Sequence, residues 1–206
     1  MKKFAAWFSR HTLPGFYALA AVLTVLSCLL AAGYDALGFA TGRLSTQQIP
    51  LEQLAAQEIL CTEEGIWVTI GADPQFLVEA DGQPVRNIVW QTDAPAAGAE
   101  GYYAKNGAGF SLRRRVWARR DAASGALVFR FPLSGGSLAR IDPAGDYGVV
   151  LAENGAHAVL TVNARLPLAA YFRLRSGQWF WLLLGPALAA ALWDQAAWWL
   201  KKRKKA

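Results

Sequence analysis

The sequence predicts a mainly β protein, an antiparallel β-sandwich or jelly-roll domain held between two transmembrane α-helices. Three observations carry that expectation. Two long uncharged apolar runs lie near the ends of the 206 residues. Between them, short segments rich in Ile, Val, Trp, Tyr and Phe alternate with Gly, Pro, Asp and Asn, the texture of strands and turns. The net charge of +6 sits beside the apolar runs and is absent from the middle.

Residues 1–12 place Lys2, Lys3, Arg10 and His11 ahead of the first run. Leu13 to Tyr34 is 22 residues without a charge. As a helix it reaches about 33 Å, enough for a hydrocarbon core of roughly 30 Å. A span is expected over 13–37. A cleaved secretory signal has a shorter apolar stretch, of about 7 to 15 residues. Val25-Leu26-Ser27-Cys28 also resembles a lipobox, which would make Cys28 a lipid-modified residue. The sequence stays apolar after it, through Leu29, Leu30, Ala31 and Ala32, which favours a plain anchor. Ala20, Thr24, Cys28 and Ala32 recur every four residues as a small-residue face suited to close helix packing.

Residues 38–64 read as a linker and a short helix. Gly38 to Thr46 is the linker, and Pro50 to Leu60 has proline in a first turn with Leu51, Leu54 and Leu60 roughly on one side. Residues 65–176 read as the β-sandwich domain, with eight to ten strands from Ile66 through Leu174. Residues 177–200 form the second span. Five of the nine tryptophans lie there, Trp179 and Trp181 at one end and Trp193, Trp198 and Trp199 at the other, as in interfacial belts. Pro186 and Gly185 interrupt it, which membrane helices tolerate. Gly185 and Ala189 form a second small-residue face. Arg173 and Arg175 are expected at lipid headgroups, and Asp194 near the lysines of the basic tail, 201–206.

The charge distribution gives an orientation. Residues 44–176 carry 13 acidic and 12 basic side chains, a net of −1, so the domain has no basic surplus for nucleic acid. The excess positive charge flanks the spans, which marks both termini as cytoplasmic and the domain as extracytoplasmic. The bilayer is the first expected partner. Because the chain leaves and re-enters it, the first and last parts of the domain must be neighbours.

Catalytic signatures are absent from the sequence. It holds no GxSxG, HExxH, P-loop, dinucleotide fingerprint or CxxC, so no enzyme, metal or cofactor is expected. Cys28 and Cys61 are the only cysteines and are expected to stay unpaired. Asp73, Asp81, Asp142 and Asp146 supply carboxylates, but Asp beside Gly or Pro also serves turns. His157 falls in an expected strand.

The richest stretch is Ser111 to Arg120, SLRRRVWARR. Read as one strand, alternation gathers Arg113, Arg115, Trp117 and Arg119 on one face. Guanidiniums around an indole suit an anionic polymer or a glycan. The same stripe also reads as a solvated face paired with acidic neighbours. Tyr102 and Tyr103 join the candidate ligand-binding residues, since adjacent strand positions turn one of them outward. Trp67 and Trp90 read as core.

Three pieces are familiar in their order. Asp73-Pro74-Gln75 precedes a strand, Gly101-Tyr102-Tyr103 leads to Gly109-Phe110-Ser111, and Phe131-Pro132-Leu133 leads to Ala139-Arg140-Ile141-Asp142-Pro143. Over roughly residues 65–165 this resembles a β-sandwich domain on the outer face of bacterial membrane proteins. That domain is associated with glycosyltransferases and cell-envelope polysaccharide assembly. The resemblance implies an accessory protein that binds envelope glycan or positions a polytopic membrane glycosyltransferase. With only two spans, any transferase activity belongs to such a partner. The other reading is a structural or interaction subunit that never touches sugar.

Overall fold

The computed structural model describes residues 12–203 except 93, 106–107, 144–146, 154–155 and 175. Lys2, Lys3, Arg10, His11, Asp146, Arg175, Lys204 and Lys205 lie outside the described residues. The chain divides into two compact units, one formed by Asp35–Arg165 and one by the described residues before and after it.

The central unit is a sandwich of antiparallel sheets. Its strands are β1 (Gln47–Pro50), β2 (Ala55–Gln57), β3 (Ile59–Cys61), β4 (Trp67–Thr69), β5 (Gln75–Glu79), β6 (Asn87–Trp90) and β7 (Glu100–Tyr103). They continue as β8 (Arg115–Trp117), β9 (Arg119–Arg120), β10 (Leu127–Arg130), β11 (Leu138–Asp142), β12 (Val150–Ala152) and β13 (Val159–Val162). One sheet has the order β1-β13-β6-β10-β9, the facing one β2-β5-β11-β7-β8, and a small third β12-β4-β3. Strand alternation supplies the core. Ile88, Trp90, Leu127, Phe129, Leu160 and Val162 face inward from the first sheet, and Phe76, Val78, Val116, Ala139 and Ile141 from the second. Phe76 meets Trp90 edge to face at 5.8 Å and Trp67 at 6.0 Å, so three sheets share one core. Both tryptophans are core residues, as expected.

Gly101 faces a tightly filled part of the core. A Cβ there would stand 3.0 Å from the Phe129 ring and 3.2 Å from Phe131 and Val116. β1 pairs with β13, Gln47 opposite Val162, so the domain's first and last strands are neighbours, as a chain leaving and re-entering a bilayer requires.

Three segments described here depart from the expected helix and strands. Pro50 to Leu60 is not a helix: after a 3-10 turn at Leu51–Gln53 it continues as β2 and β3. Glu58, at φ +53°, turns the chain from one sheet to another, and ladder pairing with β5 and β4 outweighs helix propensity. Leu168–Tyr171 is a short helix, α2, and not a strand; His157 lies in a 3-10 turn ahead of β13.

The first helix, α1, runs Thr12–Ala40. Its Asp35 belongs to the sandwich unit, buried against Arg86 with Nε to Oδ1 at 2.6 Å. Arg86 also donates through Nη1 to the Phe131 carbonyl, and its backbone N–H to Asn163 Oδ1.

In the other unit, α1 packs on α3 (Ser176–Arg203). Both helices are long and apolar enough to cross a membrane. Cys28, flanked by Ala31 and Ala32, is buried against Tyr171 and Leu174. The contact side of α3 carries Leu182, Pro186 and Ala190, while a Cβ on Gly185 would touch nothing within 4 Å. The Gly185–Ala189 face is therefore not the seam; it is displaced one residue, where the proline ring fills space. Pro186 has no N–H for the Leu182 carbonyl, and the Tyr17 hydroxyl donates to the next one, Leu183 O, at 2.5 Å.

Candidate functional site

Alternation that sends Phe76, Val78, Ala139 and Ile141 into the core leaves an outer face on the β2-β5-β11-β7-β8 sheet. Cross-strand register lines up Ala55, Leu77, Arg140, Tyr102 and Arg115 on it, with Glu100 opposite Trp117 alongside. A groove of about 310 Å³ crosses the β2 side of this face. Ala55, Ala56 and Leu77 give it an apolar floor, with Phe110 and the polar groups of Gln57, Gln75 and Arg140 around it.

Arg140 organises the neighbouring ridge. Its guanidinium lies 4.4 Å over the Tyr102 ring and 5.8 Å from that of Phe110, and Nη2 reaches Asp142 Oδ2 at 2.7 Å. The Tyr102 hydroxyl donates to Glu100 Oε2, and Arg115 Nη1 bonds Glu100 Oε1 at 3.0 Å. Arg115 in turn lies 4.4 Å over the Trp117 ring. Asp142, Arg140, Tyr102, Glu100, Arg115 and Trp117 thus brace one another in a line. Burial and then the Glu100 carboxylate hold the Tyr102 hydroxyl above its ordinary range, so it stays a donor.

Two polar atoms in this line are unsatisfied. Arg140 Nε and Asp142 Oδ1 are buried with no hydrogen-bond partner in the protein. Each such group costs about 1–3 kcal/mol, and native proteins carry few of them. Burial pushes the Asp142 carboxyl from 3.8 up to about 6; Arg140 pulls it down, and Asp73 and Glu100 add to the rise.

The residues nominated from sequence divide. Tyr102, Arg115 and Trp117 share the outer face, Trp117 being 51% exposed. Tyr103 points the other way, edge to face with Phe131 at 6.3 Å. Ser111 to Arg120 is not one strand. Arg113 sits in a 3-10 turn at Leu112–Arg114, and Arg119 belongs to β9 of the opposite sheet, so the four-residue stripe is not assembled. Arg114 and Arg120 are spent on the carbonyls of Ala108, Gly125 and Ala94. None of the six lines the groove. Nor is Tyr102 an open stacking platform, since Arg140 covers its ring and leaves it 5% exposed.

Sequence reasoning passed over Gln75 and Phe110, and read Arg140 and Asp142 only as a structural ion pair and Asp142 as a spare carboxylate; the ion pair is present. The signal was present. In Leu138–Asp142 the buried Ala139 and Ile141 alternate with Arg140 and Asp142, which puts two opposite charges on one outer face. All four also belong to the three segments that carry the family resemblance, and the fold gathers those segments here. Asp73 is held nearby by Gln75 Nε2 at 2.5 Å, while Asp81, at φ +35°, serves a turn. Among the described residues no group of three His, Cys, Asp or Glu converges to hold a metal.

No family model matches this chain, and no curated protein does. Of solved structures, a xylan-binding module of low affinity, CBM86, from the gut symbiont Roseburia intestinalis is similar at a TM-score of 0.36 and 12% identity. The match covers 58% of this chain and 95% of that one. A likeness at this level bears on neither ligand nor mechanism.

Proposed function

We propose that the protein is a non-catalytic, membrane-anchored accessory protein whose sandwich binds glycan on the outer face of the β2-β5-β11-β7-β8 sheet. The observation that carries this is the groove on that face, where the apolar floor of Ala55 and Leu77 lies beside the partly exposed guanidinium of Arg140. A sugar hydroxyl both donates and accepts. Hydroxyls seated in the groove would meet the Arg140 guanidinium and the side-chain amides of Gln57 and Gln75. The apolar floor of Leu77 and Ala55, with Phe110 beside it, suits the C–H face of a pyranose. The proposal includes the topology that the flanking charges favour, with both termini cytoplasmic and the domain extracytoplasmic. A polytopic glycosyltransferase of polysaccharide assembly is the proposed partner, expected to co-purify with the chain from solubilised membranes.

The test is affinity electrophoresis of the full chain in detergent through gels containing neutral or acidic polysaccharides. At least one polysaccharide is expected to retard the wild type. Arg140→Ala should weaken that retardation about tenfold or more, the worth of a hydrogen bond to a charged group. Arg119→Ala, on the opposite sheet, should leave it unchanged. Equal retardation of Arg140→Ala and wild type would remove the site from the proposal. No retardation of a folded chain by any polysaccharide would favour an interaction subunit instead.

A further inference from the structure

The charges around the groove limit what kind of glycan it can take. The described charges along it include Arg140 and Arg115 on one side of the balance and Asp142, Glu100 and Asp73 on the other, with Glu58 accepting from Asp73 N–H at 2.7 Å and Arg114 turned to Ser111 Oγ and the Ala108 carbonyl. Both guanidiniums are already engaged, Arg140 with Asp142 at 2.7 Å and Arg115 with Glu100 at 3.0 Å. Each also lies over an aromatic ring, its central carbon 4.4 Å from the centroid. Asp73 lies close enough to raise the Asp142 carboxyl, and its own bond is to the neutral amide of Gln75. With every one of these groups ionised, the carboxylates are not outnumbered by the guanidiniums. A uronate, phosphate or sulfate entering here would displace one of these carboxylates or lie beside it, where like charges repel. The remaining polar groups at the groove, the amides of Gln57 and Gln75, favour no charge.

Resting on the glycan-binding reading, we propose that the groove takes an uncharged polysaccharide segment, recognised through its hydroxyls, and discriminates against anionic glycans. The arginines act as shaped hydrogen-bond donors whose charge is cancelled locally.

The experiment compares matched oligosaccharides on the full chain in detergent. Neutral gluco-, manno-, galacto- and xylo-oligosaccharides are set against oligogalacturonate, oligomannuronate and a phosphate-containing glycan, by calorimetry at low and high salt. Expected is saturable binding of at least one neutral oligomer, unchanged by salt, with acidic oligomers at least tenfold weaker. The double variant Glu100→Gln, Asp142→Asn unmasks both guanidiniums. It should lose neutral binding and gain salt-sensitive binding of oligogalacturonate. If that variant fails to fold, the salt dependence of the wild type decides alone. Preferential, salt-sensitive binding of an acidic oligomer by the wild type overturns this inference and leaves glycan binding standing. Binding of no oligomer by a chain with a native near-ultraviolet tryptophan signal overturns both.

Discussion

Asp142 is pushed from 3.8 up to about 6 by burial, against the opposing pull of Arg140. The unfolded chain's carboxyl titrates at its ordinary value. Between about 6 and 3.8 the folded protein therefore holds a proton that the unfolded chain lacks, so this group adds stability as the pH falls through that window. Above about 6 its buried charge is a standing cost. Asp142→Asn should gain most over wild type in Tm above pH 6, an advantage that shrinks as the pH descends towards 3.8. Glycan binding should move the opposite way. Protonation weakens the Arg140–Asp142 pair that positions the guanidinium beside the groove, so affinity is expected to fall below about pH 6. A flat affinity profile there would take the pair out of the binding site.

At the scale of elements, the alternating runs were readable because burial on one face imposes period two. QFLVE, NIVW, LVFR and LARID all appear as strands in the first two sheets. Where a segment changes sheets, that period breaks and the reading fails. Ser111 to Arg120 looked continuous, yet it opens in a 3-10 turn and passes from one sheet to the other at Ala118. Pro50 to Leu60 looked helical because Leu51, Leu54 and Leu60 repeat roughly on one helix side, but Leu51 reaches the core from a turn and Leu60 is exposed on β3. The end of α1 supplies a third case. Asp35 could be placed near the end of an apolar run, but nothing local tells of Arg86, 51 residues on. The pair is almost wholly buried, so removing one partner strands a charge. Asp35→Ala or Arg86→Ala should cost about 3–5 kcal/mol, read as a lowered unfolding midpoint of the full chain in detergent. Asp35→Leu with Arg86→Met should recover most of that loss. If the single variants unfold like wild type, the pair does not hold the end of α1 to the sandwich.

For the molecule as a whole, two natural cysteines report topology. Cys61 is exposed on β3, and Cys28 is buried within α1. A membrane-impermeant maleimide added to intact cells is expected to label Cys61 and spare Cys28. Labelling that requires permeabilised cells would reverse the proposed orientation. The pairing of β1 with β13 has a mechanical consequence. Their antiparallel register sets Gln47 against Val162, so both chain ends leave the domain at the same end of one strand pair. A force drawing the two anchors apart would load these ladder bonds one after another from that end, the weakest way to pull a strand pair. A force arriving through a polymer seated on the other sheet draws both ends in the same direction and is shared between them. On the proposed function, the domain would resist a pull through its ligand far better than a spreading of the two helices.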